Sequence, residues 1–182
     1  MKLVDKIVQV SDKPLSPKRR LAATILPIFV FFGLFPALLF VIPTFVLDKR
    51  FNWPPFANVT IRVIVGSVLI VLGVFFLLWT IKAQREIGKG TPMPLMATRK
   101  LVVKKPYSYC RNPLAFGLVN FYFGISIFIA SPSSAVMVFV FSAIILSYIK
   151  FIEEKELEQR YGDEYVEYKK RTPFIIPRLK SA

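Results

Sequence analysis

Asn112 to Ile149 reads NPLAFGLVNFYFGISIFIASPSSAVMVFVFSAIILSYI, 38 residues without a charge. Wound as one helix it would be about 57 Å long at 1.5 Å per residue, nearly twice the hydrocarbon thickness of a bilayer. Near its middle stands Ser131-Pro132-Ser133-Ser134, a cluster of turn-forming residues. The run predicts two short membrane-crossing helices, each of about 17 residues and close to the lower limit for a span, joined by a tight turn.

Two further uncharged runs lie upstream. Leu21 to Leu47 is 27 residues long and Val63 to Ile81 is 19. Each suffices for one crossing, which gives about four spans in all. Pro27, Pro36 and Pro43 sit inside the first run and predict kinks or breaks there. The first run is longer than the apolar region of a signal peptide, and no small-residue cleavage pattern follows it. The expectation is an all-α polytopic membrane protein, folded as one domain over residues 1–182.

The 25 basic residues against 11 acidic ones, a net charge of +14, are distributed unevenly. They flank the apolar runs: residues 1–20 form a basic lead-in, and Lys82 to Arg111 and Lys150 to Lys180 are rich in Lys and Arg, whereas the Ser131–Ser134 turn has neither. Positive loops stay on the cytoplasmic side. Both termini and the central loop are therefore expected in the cytoplasm, with the inner membrane of a cell as the expected location. The same flanking pattern assigns the charge to topology and anionic lipid rather than to nucleic acid. With no histidine and one cysteine, Cys110, the chain has no histidine general base, no internal disulfide and no ordinary Cys/His metal site. No metal is expected. Asn58-Val59-Thr60 matches a glycosylation sequon, a pattern too short to carry weight.

Two polar clusters border the long apolar run. Upstream, Lys104 to Pro113 reads KKPYSYCRNP; downstream, Glu153 to Pro177 reads EEKELEQRYGDEYVEYKKRTPFIIP. Glu153, Leu157 and Tyr161 fall at i, i+4 and i+8, Gly162 is placed to end or bend a helix, and Pro173 and Pro177 stop it. That pattern predicts a cytoplasmic amphipathic helix growing from the last span. Because a tight hairpin joins the last two spans, the two polar clusters are expected to meet on one membrane face. Arg111, a planar fork of donors, suits a carboxylate or phosphate, and Glu153 and Glu154 suit an ammonium or a ribose. The opposing reading is that Arg111 and the lysines snorkel to lipid phosphate while the acids form a solvated helix face. Residue types alone leave the two open.

The segment Leu101-Val-Val-Lys-Lys-Pro-Tyr-Ser-Tyr-Cys-Arg-Asn-Pro113 resembles the isoprenylcysteine carboxyl methyltransferase and phospholipid methyltransferase group of membrane enzymes. In that group a Leu-Val pair precedes Gly-Pro-Tyr, and Arg-His-Pro or Arg-Asn-Pro opens a helix. Glu-Glu follows, with a leucine three residues on, two spaced tyrosines and a closing proline. Glu153-Glu154, Leu157, Tyr161-Gly162, Tyr165, Tyr168 and Pro177 stand in that order here. Gly88-Lys-Gly-Thr-Pro92 resembles the loop of bacterial members. The resemblance spans residues 88–177, the expected cofactor region, and implies S-adenosylmethionine as methyl donor. It implies that Leu101, Val102 and Val103 wall the adenine. Tyr107, Arg111, Asn112 and Pro113 would hold the rest of the cofactor, and Glu153 or Glu154 would complete the site, with Arg111, Glu153 and Glu154 nearest the chemistry.

The sequence departs from the group at Arg99 or Lys100, where a histidine is common, at Lys105 in place of glycine, and at Ala115, where a tyrosine is frequent. Ala115 is expected to widen the acceptor pocket, with Phe116 and Asn120 beside it. Asn120, Tyr122 and Ser126 serve equally well as helix–helix contacts. The implied acceptor is lipophilic: an isoprenylcysteine-like carboxylate or a lipid amine. Alternatives are an NADPH-dependent membrane reductase of the sterol and steroid type, and a lipid-binding membrane protein without catalysis.

Overall fold

The computed structural model describes residues 25, 29–55, 58–86 and 101–178. The basic lead-in at 1–20, the Gly88–Pro92 motif, Arg99 and Lys100 lie outside the described residues. Among the described residues all regular structure is helical. Three π-helical turns, Val30–Leu34, Ala37–Val41 and Pro43–Leu47, lead into α1 (Asp48–Phe51); α2 (Val59–Glu86), α3 (Pro113–Phe128) and α4 (Pro132–Tyr148) follow. A π-helical turn, Ile149–Glu153, then joins α4 to α5 (Glu154–Tyr161), and α6 (Asp163–Arg171) ends the helical part.

Among the described residues two helices are long and apolar enough to cross a membrane: α2, and the continuous helical stretch Pro132–Tyr161. Helix α3 is apolar but shorter. The long uncharged run breaks at the predicted place, between Phe128 and Pro132, with Ala130 in the left-handed region at φ 56°. The central loop starts later than the charge pattern suggests. Residues 82–86, read as loop, continue α2, where Lys82 and Glu86 face each other at i, i+4 and the intervening Ala, Gln and Arg favour helix.

The described residues form two compact units. One contains residues 25–74, so far as they are described, and 118–144. Pro27 lies outside the described residues, and at Pro36 and Pro43 the helix is not broken as expected but continues through π-type turns. Pro43 has no N–H to offer the Leu39 carbonyl four residues back, and Ser134 Oγ donates to that carbonyl instead at 2.7 Å. The backbone takes up π-type bonding, with Phe35 N–H reaching Val30 and Ile42 N–H reaching Ala37. Leu39, Phe40, Tyr122 and Val138 form the buried core, with Phe40 and Tyr122 edge to face at 5.6 Å. Asp48 caps α4 from across the unit. Its Oδ1 accepts from Ser133 N–H at 3.0 Å and its Oδ2 from Ser131 Oγ. Helices α2 and α3 cross at Gly66 and Gly124, where a Cβ on either would meet backbone at 2.9 Å or less.

The second unit holds residues 75–86, 101–117 and 145–178 among those described. Phe76 of α2 meets Phe116 of α3 edge to face at 4.8 Å, and Trp79 packs on Tyr109 at 5.9 Å. Gly162, at φ 55°, separates α5 from α6 as its position in the sequence predicts, and α6 stops just before Pro173. Tyr165 and Tyr168 are the buried residues of α6.

Candidate functional site

All three guanidinium nitrogens of Arg111 are engaged. Nε and Nη2 donate to Glu154 Oε1 at 3.0 and 2.7 Å, and Nη1 donates to the carbonyls of Lys169 and Thr172 at 2.8 and 2.6 Å. The Lys169 ammonium closes the arrangement, 2.9 Å from Glu154 Oε2 and 2.7 Å from Glu158 Oε1. Those two hydrogen bonds, Glu158 first, hold the Lys169 pKa above the usual lysine value. The Arg111 and Glu154 side chains are 7% and 1% exposed, so this is a buried ion pair, with Glu154 Oε2 neighboured by the Lys169 and Lys150 ammonium groups. Phe174 lies under it, 5.8 Å from Arg111 Cζ and 5.1 Å from Lys150 Nζ.

Backbone bonds stitch the same two segments together. Arg111 N–H donates to Pro173 O at 2.9 Å and Arg178 N–H to Tyr109 O at 3.0 Å. Asn112 Nδ2 donates to Phe174 O, and Tyr168 Oη to Tyr107 O. The sequence expected the two polar clusters to meet, and residues 107–113 and 154–174 do so. What it missed is how. Most of the acceptors are main-chain carbonyls, which leave no trace in residue identity, and Lys169 and Thr172 were not singled out.

The two adjacent acids differ sharply. Glu154 faces inward with Arg111 and Lys169. Glu153, half-buried, has no ion pair or hydrogen bond among the described residues. It lies close enough to Tyr107 to influence it. The Tyr107 phenol is pushed up chiefly by burial, drawn down by its hydrogen bond with Gln84, and pushed up again by the Glu153 charge. Gln84 Nε2 is the donor in that bond to Tyr107 Oη.

Of the remaining expected cofactor residues, Val102 and Pro113 are buried, Leu101 is half-buried and Val103 is exposed. Val103 lines a shallow cleft of about 290 Å³ with Ser108, Glu164, Glu167, Tyr168, Arg171 and Thr172. Ser108 Oγ is buried there without a hydrogen-bond partner. Cys110 is fully buried, and burial pushes its thiol up to about 11. On α3, Ala115 is enclosed at 6% exposure and Phe116 packs on Phe76. Asn120 belongs to the other unit. Ser126 Oγ, also there, donates back to the Phe123 carbonyl.

Among the described residues two helices are long and apolar enough to cross a membrane, and an ionic clamp fastens the entry of α3 to the polar helices α5 and α6. The chain belongs to the phospholipid methyltransferase family, whose model matches residues 61–164, more than half of the chain. It is therefore a membrane methyltransferase by family. No curated protein and no solved structure matches it.

Proposed function

We propose that the protein transfers a methyl group from S-adenosylmethionine to a lipophilic acceptor at the cytoplasmic face of the inner membrane. In this reading it is a four-span protein, with the segment at 29–51 and α3 completing the set begun by α2 and α4. Both termini face the cytoplasm, α5 and α6 lie as an amphipathic element on that face, and residues 88–177 bind the cofactor. The observation that carries the reading is the pairing of Arg111 with Glu154, both within the stretch that matches a methyltransferase family, extended by bonds from residues 107–112 to residues 168–174 beyond it.

The residues suit the cofactor. Glu153 offers a carboxylate without a partner, fit for an ammonium or a ribose diol, and the orphaned Ser108 Oγ lies in a cleft with Val103, part of the segment expected to wall an adenine. When bound, the cofactor supplies an electrophilic methyl on a sulfonium. Arg111 and Glu154, engaged with each other and with the residues around them, act as positioning residues that fix the Tyr107–Pro113 segment. Glu153 orients polar groups of the cofactor. Ala115 and Phe116, on α3, would border the acceptor. Methyl transfer needs alignment and a dry pocket more than acid–base chemistry, so the lack of histidine is no obstacle.

Calorimetry on detergent-purified protein with S-adenosylhomocysteine and NADPH tests the reading. Micromolar binding of the first, about −8 kcal/mol, is expected. Binding of NADPH alone would overturn it in favour of a reductase, and binding of neither in favour of a lipid-binding protein.

A further inference from the structure

Helix α2 buries two polar side chains one turn apart without satisfying them. Thr80 is fully buried and, among the described residues, its Oγ1 has no hydrogen-bond partner; neither has Gln84 Oε1. An unpaired buried hydroxyl or amide oxygen keeps its desolvation penalty in a protein interior, and a membrane offers little water to relieve it. Valine and leucine would fill the same volumes without that penalty. Neither residue takes part in the Arg111–Glu154 clamp.

These two belong to one helix face. Phe76, Thr80 and Gln84 stand at i, i+4 and i+8, so the face runs from aromatic to polar toward the end of the helix. Phe76 meets Phe116 at 4.8 Å, and Gln84 Nε2 bonds Tyr107 Oη. Gln84 Oε1 can only accept, and Thr80 Oγ1 can accept. The Arg111 guanidinium, which would attract a carboxylate, is spent on Glu154.

We propose that Thr80 and Gln84, with Tyr107, form the subsite that selects the acceptor's head: an amphiphile whose head donates hydrogen bonds, with its apolar part toward Phe76 and Phe116. This rests on the methyl-transfer reading above and assigns the specificity of that reaction to α2. Gln84 acts in part through Tyr107 and is to that extent a positioning residue.

The test uses full-length protein in nanodiscs, with radiolabelled S-adenosylmethionine and two probes: dioleoyl phosphatidylethanolamine, whose head donates, and N-acetyl-S-farnesylcysteine, whose head is a carboxylate. Wild type is expected to methylate the first in preference to the second. Thr80→Val and Gln84→Leu should each raise KM for the lipid amine about tenfold, with kcat changed less and the Kd for S-adenosylhomocysteine within about twofold of wild type, whereas Thr80→Ser should keep wild-type KM. Unchanged KM in both variants overturns the inference, as does an equal loss of cofactor binding, which would mark a structural role. Wild type that binds S-adenosylhomocysteine yet methylates only the farnesylated carboxylate, or neither probe, also overturns it while leaving the cofactor reading standing. Absence of cofactor binding overturns that reading, and the inference with it.

Discussion

Replacing Gly124 by alanine tests the closest approach in the structure. A Cβ there would lie 2.7 Å from Ile70 N, 2.8 Å from Ile70 Cγ1 and 2.9 Å from Gly66 O. Carbon needs about 3.5–4 Å from its neighbours, so the added methyl overlaps by about 0.8 Å. Two of the three atoms are backbone and cannot swing aside, so the helices must part. Forcing a methyl into a packed contact costs about 1–3 kcal/mol. Against this, alanine gains about 1 kcal/mol over glycine in a helix interior. The net expectation is a loss of about 1–2 kcal/mol, the upper part of the difference, because backbone rather than a rotatable side chain must move.

Gly66→Ala should behave alike, since its Cβ would meet Phe128 N and Cβ at 2.9 Å. The double variant should lose less than the sum, because helices already parted by one methyl have room for the other. Gly33→Ala serves as control: among the described residues its new Cβ would meet Phe29 ring atoms at 3.6 Å, ordinary contact, so stability should hold or rise. The assay is reversible unfolding in mixed micelles, read by helical circular dichroism. Gly124→Ala as stable as wild type, or more so, would refute the close crossing.

Arg111→Ala and Glu154→Gln should each destabilise the protein by about 3–5 kcal/mol, as expected on stranding one member of a buried pair, and the double variant by less than the sum; Glu153→Gln should leave the unfolding midpoint unchanged. Cys110, fully buried with its thiol pushed up to about 11 against 9.0 for the free group, should resist maleimide in the folded state. Because the folded value is the higher one, the neutral thiol's contribution to stability is complete below about pH 9 and is lost as pH rises through 11, so labelling should become rapid only there or on unfolding. Asp48→Ala should cost about 1–2 kcal/mol by uncapping α4, with Asp48→Asn retaining part of the cap through its one remaining acceptor.

Features written in side-chain chemistry were legible in the sequence. The Ser131–Ser134 turn, the break at Gly162 and the stop at Pro173 follow from residues with restricted or exceptional backbone preferences. The meeting of Arg111 with an acid of the downstream cluster was legible from charge and from the hairpin between them. The expected stripe began at Glu153, but the buried acid is Glu154, because the π-helical turn before it shifts the register and no composition rule announces such a turn. The carbonyls of Lys169 and Thr172 that complete the Arg111 clamp were invisible, being backbone. Gln84 was hidden for another reason: charge counting ended the second span at Ile81 and put it in a loop, where a buried amide draws no notice.

The π-helical turn at Ile149–Glu153 decides which of two neighbouring glutamates meets the arginine. A turn of this kind takes up one residue more than an α-helical turn. Wound without it, the same chain would bring every following side chain round by about 100°, and Glu153 would stand where Glu154 stands now. The paired acids are thus alternative partners for a single cation, chosen by winding rather than by identity. Rewinding this one turn would free Glu154 and tie down Glu153, exchanging the charge that is held for the charge that is offered.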